Sequence, residues 1–73
     1  MEVLQEKLLN ERSELTTKLN KLLAFIETEK YQELSSEAKF LLKQQARLMT
    51  AYSEVLYRRI ILISEEIANV KQQ

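Results

Sequence analysis

Glycine, proline, cysteine and histidine are all absent from the 73 residues, and so is tryptophan. Without cysteine or histidine there is no thiolate or imidazole to ligate a metal, no Cys–His pair, no Ser–His–acid triad and no proton shuttle poised near neutral pH. Without glycine there is neither a phosphate-cradling P-loop nor a dinucleotide-binding fingerprint. These absences exclude most catalytic constellations, and no cofactor or metal set is expected. They point to a non-enzymatic binding or assembly module. The usual turn-formers are missing too, so any break between elements has to be made by other residues.

What is present is helical in pattern. Apolar residues make up 45% and charged residues 30% of the chain, a balance that favours a folded domain over a disordered one. No run approaches the roughly 18–20 apolar residues that would span a bilayer, and the start, MEVLQEKLLNE, has no apolar signal core; the expectation is a cytoplasmic protein without a membrane partner. Net charge is zero. That disfavours general DNA or RNA binding, and the basic residues form neither a continuous outward stripe nor a helix-turn-helix pattern. The charge is unevenly spread. Residues 1–37 hold five Lys/Arg and eight Glu, whereas residues 38–73 hold six Lys/Arg and three Glu. Two reasons fit this split: halves that pair with each other, or an anion-binding surface on the second half.

Leu8, Arg12, Leu15, Leu19, Leu22 and Ile26 recur at alternating spacings of four and three, one stripe of a helix. This predicts helix 1 over about residues 2–29. The pattern fails at EKYQELSSEA, where Ser35 or Ser36 can cap a new helix and Glu37 suits its N-terminal dipole. A turn is expected over about residues 30–35, with Tyr31–Leu34 forming a helical turn that closes the end of the core. Helix 2 then runs from about residue 36 to 71, longer than its partner, so that the apolar segment Ile60–Ile67 is expected to overhang. Leu41, Leu48, Val55 and Leu62 form one seven-residue line on it; Leu42, Met49, Leu56, Ile63 and Val70 form a neighbouring one.

The expected fold class is therefore all-α: a single domain over residues 1–73, a two-helix antiparallel hairpin that oligomerises into a helical bundle. Two helices bury one stripe each, which is little for a chain of this size without disulfides or metal, so homo-oligomerisation to a dimer or higher, a hexamer being one option, is the leading inference. The alternative is that the apolar face docks on a larger foreign protein as a structural or adaptor module.

Between the two apolar lines of helix 2 runs a third line of Ala38, Gln45, Tyr52, Arg59 and Glu66, which places polar groups in the middle of the apolar face. Helix 1 is interrupted in the same way by Arg12, and folding the chain about residues 31–35 brings Arg12 level with Ser53–Leu56. A half-buried guanidinium needs an anionic or multiply accepting partner. That partner is either a glutamate (Glu6, Glu11 or Glu14) fixing register between chains, or a ligand phosphate or carboxylate with Tyr52 or Tyr57 stacked on a flat ring. Arg12, Gln45, Tyr52, Tyr57, Arg58 and Arg59 are accordingly the candidate ligand-binding residues. Arg58 projects about 100° away from Arg59 and is expected in solvent, paired with Glu54 four residues earlier. Ser13, Thr16, Thr17 and Asn20 form either a solvated polar face or a set of hydroxyls for a ligand.

The run ERSELTTKLNKLLAFIE, the turn YQELSSE and the run LLKQQARLMTAYSEVLYRRIILI resemble the small helical-hairpin proteins of phages and prophages first named from a crAss-like phage. The resemblance covers roughly residues 10–63 and rests on Leu42, Gln45, Met49, Tyr52, Ser53, Leu56, Arg59 and Ile60. The architecture is similar to that of phage anti-CBASS and anti-Thoeris sponges. That likeness implies an oligomer that holds a cyclic oligonucleotide or cyclic ADP-ribose-type messenger between subunits and keeps it from its effector, with no chemistry performed.

Overall fold

A computed structural model of the chain describes the backbone of residues 2–72 and the side chains of residues 3–69. The described chain is all-α: α1 (Glu2–Ile26), a single turn α2 (Glu29–Gln32) and α3 (Ser36–Gln72). The molecule is a rod of 59 × 15 × 14 Å. Its long dimension is that of α3, whose 37 residues span about 55 Å at 1.5 Å per residue.

The stripe on α1 faces α3. Leu8 and Leu19 are buried, and Arg12, Leu15, Leu22 and Ile26 are half-buried. From α3 come Ala46, Leu56 and Ile63, all buried, with Leu56 fully enclosed at 0% exposure. Leu8, Leu56 and Ile63 form one cluster, and Leu15, Ile60 and Ile67 pack on it. The partners on α3 recede as α1 advances: Gln5 Nε2 donates to Ser64 Oγ, Arg12 Nε to the carbonyl of Ser53, and, beyond α1, Tyr31 Oη to that of Lys39.

The end of α1 differs from expectation, with a physical reason that lies in Thr28. The helix stops at Ile26 rather than near residue 29, and its last turn tightens through bonds from Glu27 N to Ala24 O and Thr28 N to Phe25 O. Thr28 is extended (φ −92°, ψ 161°), and its hydroxyl accepts from Tyr31 N while donating to Phe25 O at 2.6 Å. Threonine thereby breaks one helix and caps the next. No described residue has positive φ, so the reversal is made without any glycine-like conformation. α2 then delivers Tyr31 to the end of the core, 3% exposed, in an edge-on contact with Phe25 at 6.2 Å. Ser35 caps α3, its Oγ accepting from Ala38 N at 3.1 Å, and Glu37 sits in the first turn beside the positive end of the helix.

The segment Ile60–Ile67 does not overhang as expected. The first turns of α1 lie level with Ser64, so Ile63 is buried and Ile60 and Ile67 are half-covered; Leu62 stays exposed. Val70, expected to end the second apolar line of α3, lies outside the described side chains.

Candidate functional site

One helix covers one arc of its neighbour, and that fact sorts the candidate residues. α1 covers the line Leu42, Met49, Leu56 and Ile63, while Leu41, Leu48, Val55 and Leu62 remain exposed. The polar line between them therefore sits at the edge of the contact. Gln45, Tyr52, Arg59 and Glu66 are exposed in the single chain. Gln45 turns back on its own helix, with Nε2 3.8 Å from Met49 Sδ, a weak acceptor.

Arg12 is the arginine that the fold holds in place. It is half-buried on the face of α1 that meets α3. Its Nε donates to the carbonyl of Ser53 at 3.3 Å, and its guanidinium carbon lies 4.8 Å from the centre of the Tyr57 ring. Ser53 and Tyr57 are four residues apart, so the helix puts the carbonyl and the ring on the same side, one turn apart. The guanidinium bridges them. The contact is a cation–π interaction at a partly exposed ring, which holds the side chain without neutralising it. Neither partner is a carboxylate.

Beside this bridge α1 carries an open recess of about 280 Å³, lined by Leu9, Arg12, Ser13, Thr16 and Thr17. Of these, Leu9 is apolar, three residues carry hydroxyls and Arg12 carries a guanidinium. Thr17 Oγ1 donates to the carbonyl of Ser13 at 3.0 Å, a bond within the helix that fixes its rotamer and leaves the oxygen able to accept. The hydroxyl cluster noted in the sequence thus borders the Arg12 site, apart from Asn20, which does not line it.

Arg58 points outward and pairs with Glu54, Nε to Oε1 3.5 Å, with both side chains largely exposed. Such a pair contributes on the order of 0.3–0.5 kcal/mol and offers little free charge. The structure therefore joins Arg12 with Tyr57, leaves Arg59 and Tyr52 in solvent, and commits Arg58 to a neighbour on its own helix. The sequence reading stacked the tyrosines on a ligand and missed the Arg12–Tyr57 contact within the chain. The signal was available, since placing Arg12 level with Ser53–Leu56 already puts Tyr57 within one turn.

No group of three or more acidic, histidine or cysteine side chains that would hold a metal ion is found among the described residues. No helix among them is long and apolar enough to cross a membrane. No curated protein and no solved structure matches the chain. A family model does match, and it covers residues 2–62, from the start of α1 through the Arg12–Tyr57 bridge to Leu62. The chain belongs to the Sequestin family.

Proposed function

We propose that this chain is a phage-encoded, non-enzymatic sponge, an antiparallel helical hairpin that assembles with copies of itself and sequesters cyclic nucleotide-type immune messengers in the host cytoplasm. It inhibits CBASS- or Thoeris-like defence by holding the messenger, a cyclic oligonucleotide or a cyclic ADP-ribose type of molecule, away from its effector. The family name is that of a sequestering protein and supports a holding role. The observation that carries the reading is Arg12: a guanidinium fixed by a carbonyl and a ring, both neutral, at the wall of a recess rimmed with hydroxyls. Its donors other than Nε remain to take a phosphate oxygen in the bidentate manner that arginine favours. Tyr57 is exposed, and the face of its ring that Arg12 does not take is a surface on which a nucleobase can stack.

The absence of cysteine and histidine fits a protein that binds its ligand and returns it unchanged. The test is titration calorimetry of the purified chain against cyclic dinucleotides, cyclic trinucleotides and cyclic ADP-ribose isomers, followed by recovery of the ligand after denaturation. Micromolar or tighter binding with intact recovery is the expected result. Binding no tighter than about millimolar for the whole panel, a free energy of only about −4 kcal/mol, would sink the proposal.

A further inference from the structure

Leu41, Leu48, Val55 and Leu62 form a line along α3 that α1 leaves bare: they are 56%, 62%, 51% and 54% exposed. Seven-residue spacing keeps them on one side of the helix, the geometry by which helices meet in coiled coils. With the exposed Tyr52 beside them, the bare apolar surface is on the order of 300–400 Å². That is about the size of the largest such patch on a typical monomer, and close to half of the roughly 800 Å² that each partner contributes to a standard interface. The buried core within one chain is small: Leu8, Leu19, Tyr31, Ala46, Leu56 and Ile63 among the described residues. A chain of this size with no disulfide gains most from covering a bare line with a second copy.

We propose that a second copy docks on this line with its α3 running in the opposite direction, and that the pairing encloses Tyr52 and Arg59 between the copies as a ligand site. The line is its own complement under a two-fold axis placed between Ala51 and Tyr52. Leu41 then meets Leu62 of the partner copy, and Leu48 meets Val55, so all four residues of each copy are covered.

Charge selects the same direction. The first half of α3 carries Lys39, Lys43 and Arg47 against Glu37, whereas residues 52–69 carry Arg58 and Arg59 against Glu54, Glu65 and Glu66. A parallel pair sets each cluster against itself. The antiparallel pair brings Lys39 within one residue of the level of Glu65 of the partner copy and sets the two halves of opposite net charge together.

The enclosure of Arg59 follows from its row. Gln45, Tyr52 and Arg59 lie between the line that α1 already covers and the line the second copy would cover, so closing the second takes them out of water. At the level of Arg58 and Arg59 the partner presents Gln45 and Gln44, which are neutral amides. A guanidinium desolvated against amides needs an anion, and a phosphate-bearing ring stacked on Tyr52 supplies one. This last step rests on the sequestering reading; the docking itself does not.

The cysteine-free chain permits a direct test. Leu48→Cys and Val55→Cys variants, mixed and oxidised, are expected to form a cross-linked dimer of one copy of each, while either variant alone gives none. In this register identical residues of the two copies sit about 10 Å apart along the axis, beyond the roughly 7 Å between Cα atoms that a disulfide spans. A cross-link from a single variant, or monomer throughout, overturns the docking; monomer throughout points to a foreign protein on this face. The cross-linked dimer is then titrated with the same ligand panel, with and without Arg59→Ala. At least a tenfold loss of affinity is expected, with unchanged circular dichroism because Arg59 is exposed in the single chain. Cross-linking with equal affinity in both forms overturns the enclosure. Cross-linking with no binding by either form refutes the sequestering reading and upholds the docking.

Discussion

The bridge between Arg12 and Tyr57 has a coupling energy that can be worked out and measured. Arg12→Met removes the guanidinium and keeps most of the stem; Tyr57→Leu removes the ring and keeps apolar bulk. The hydrogen bond from Arg12 Nε to Ser53 O is 3.3 Å long, just past the usual range, and contributes about 1 kcal/mol. The guanidinium over the ring, at 4.8 Å and a partly exposed site, adds about 0.5–1 kcal/mol. Arg12→Met should therefore cost about 1.5–2 kcal/mol, out of the roughly 4–11 kcal/mol that a domain of this length has in total. In a double-mutant cycle only the ring contact is shared, so a coupling of about 0.5–1 kcal/mol is expected. The assay is urea unfolding followed by far-ultraviolet circular dichroism, at one fixed protein concentration because self-association shifts apparent stability. A coupling below about 0.3 kcal/mol would mean that the two side chains do not meet in solution. Ligand titration separates structure from function in the same variants. If Arg12→Met leaves the affinity for every cyclic nucleotide in the panel unchanged, Arg12 is a structural bridge and the proposed function loses its carrier.

Three further outcomes test the fold around the site. Leu56→Ala should cost about 3–5 kcal/mol in the same unfolding assay, since its side chain is fully enclosed at the centre of the cluster with Leu8 and Ile63; a loss below about 1 kcal/mol would show that α1 and α3 do not pack there. Ser35→Ala should lower stability by about 1 kcal/mol and Ser36→Ala by much less, because only Ser35 accepts from Ala38 N. Glu54→Gln should change stability by less than about 0.5 kcal/mol, and raised salt should erase the difference; a larger, salt-independent loss would place the Arg58–Glu54 pair in an interface rather than in solvent.

The long elements were legible because helical periodicity is written over many residues. The stripe from Leu8 to Ile26 is the face that α1 turns to α3, and the seryl cap, Glu37 and the helical turn at Tyr31 were readable from local chemistry. The break at Thr28 was not read, since a threonine inside a helical pattern is unremarkable until its neighbours adopt a cap. Its sequence sign is the Thr-Glu pair, a capping hydroxyl followed by an acid in the first turn of α2. Arg59 stays exposed within the single chain for a different reason. Heptad lines show which residues share a side of a helix, but which line meets the partner helix depends on how far that helix wraps, and two apolar lines compete for one neighbour. Leu56 and Ile63 won that competition over Val55 and Leu62.

A chain of zero net charge has to keep its cations from being neutralised by its own glutamates if it is to hold an anion. Arg58 shows the default outcome, a pair with Glu54 one turn away on the same helix. Arg12 escapes it through its place in the fold, because the surface it meets on α3 presents the Ser53 carbonyl and the Tyr57 ring, both of which attract a guanidinium without cancelling its charge. The carboxylate of Glu54 lies between them in sequence, yet it projects to another side of the helix and is spent on Arg58. A neutral protein can in this way present a local positive potential, and a phosphate entering the recess on α1 meets a charge that no carboxylate among the described residues is bonded to.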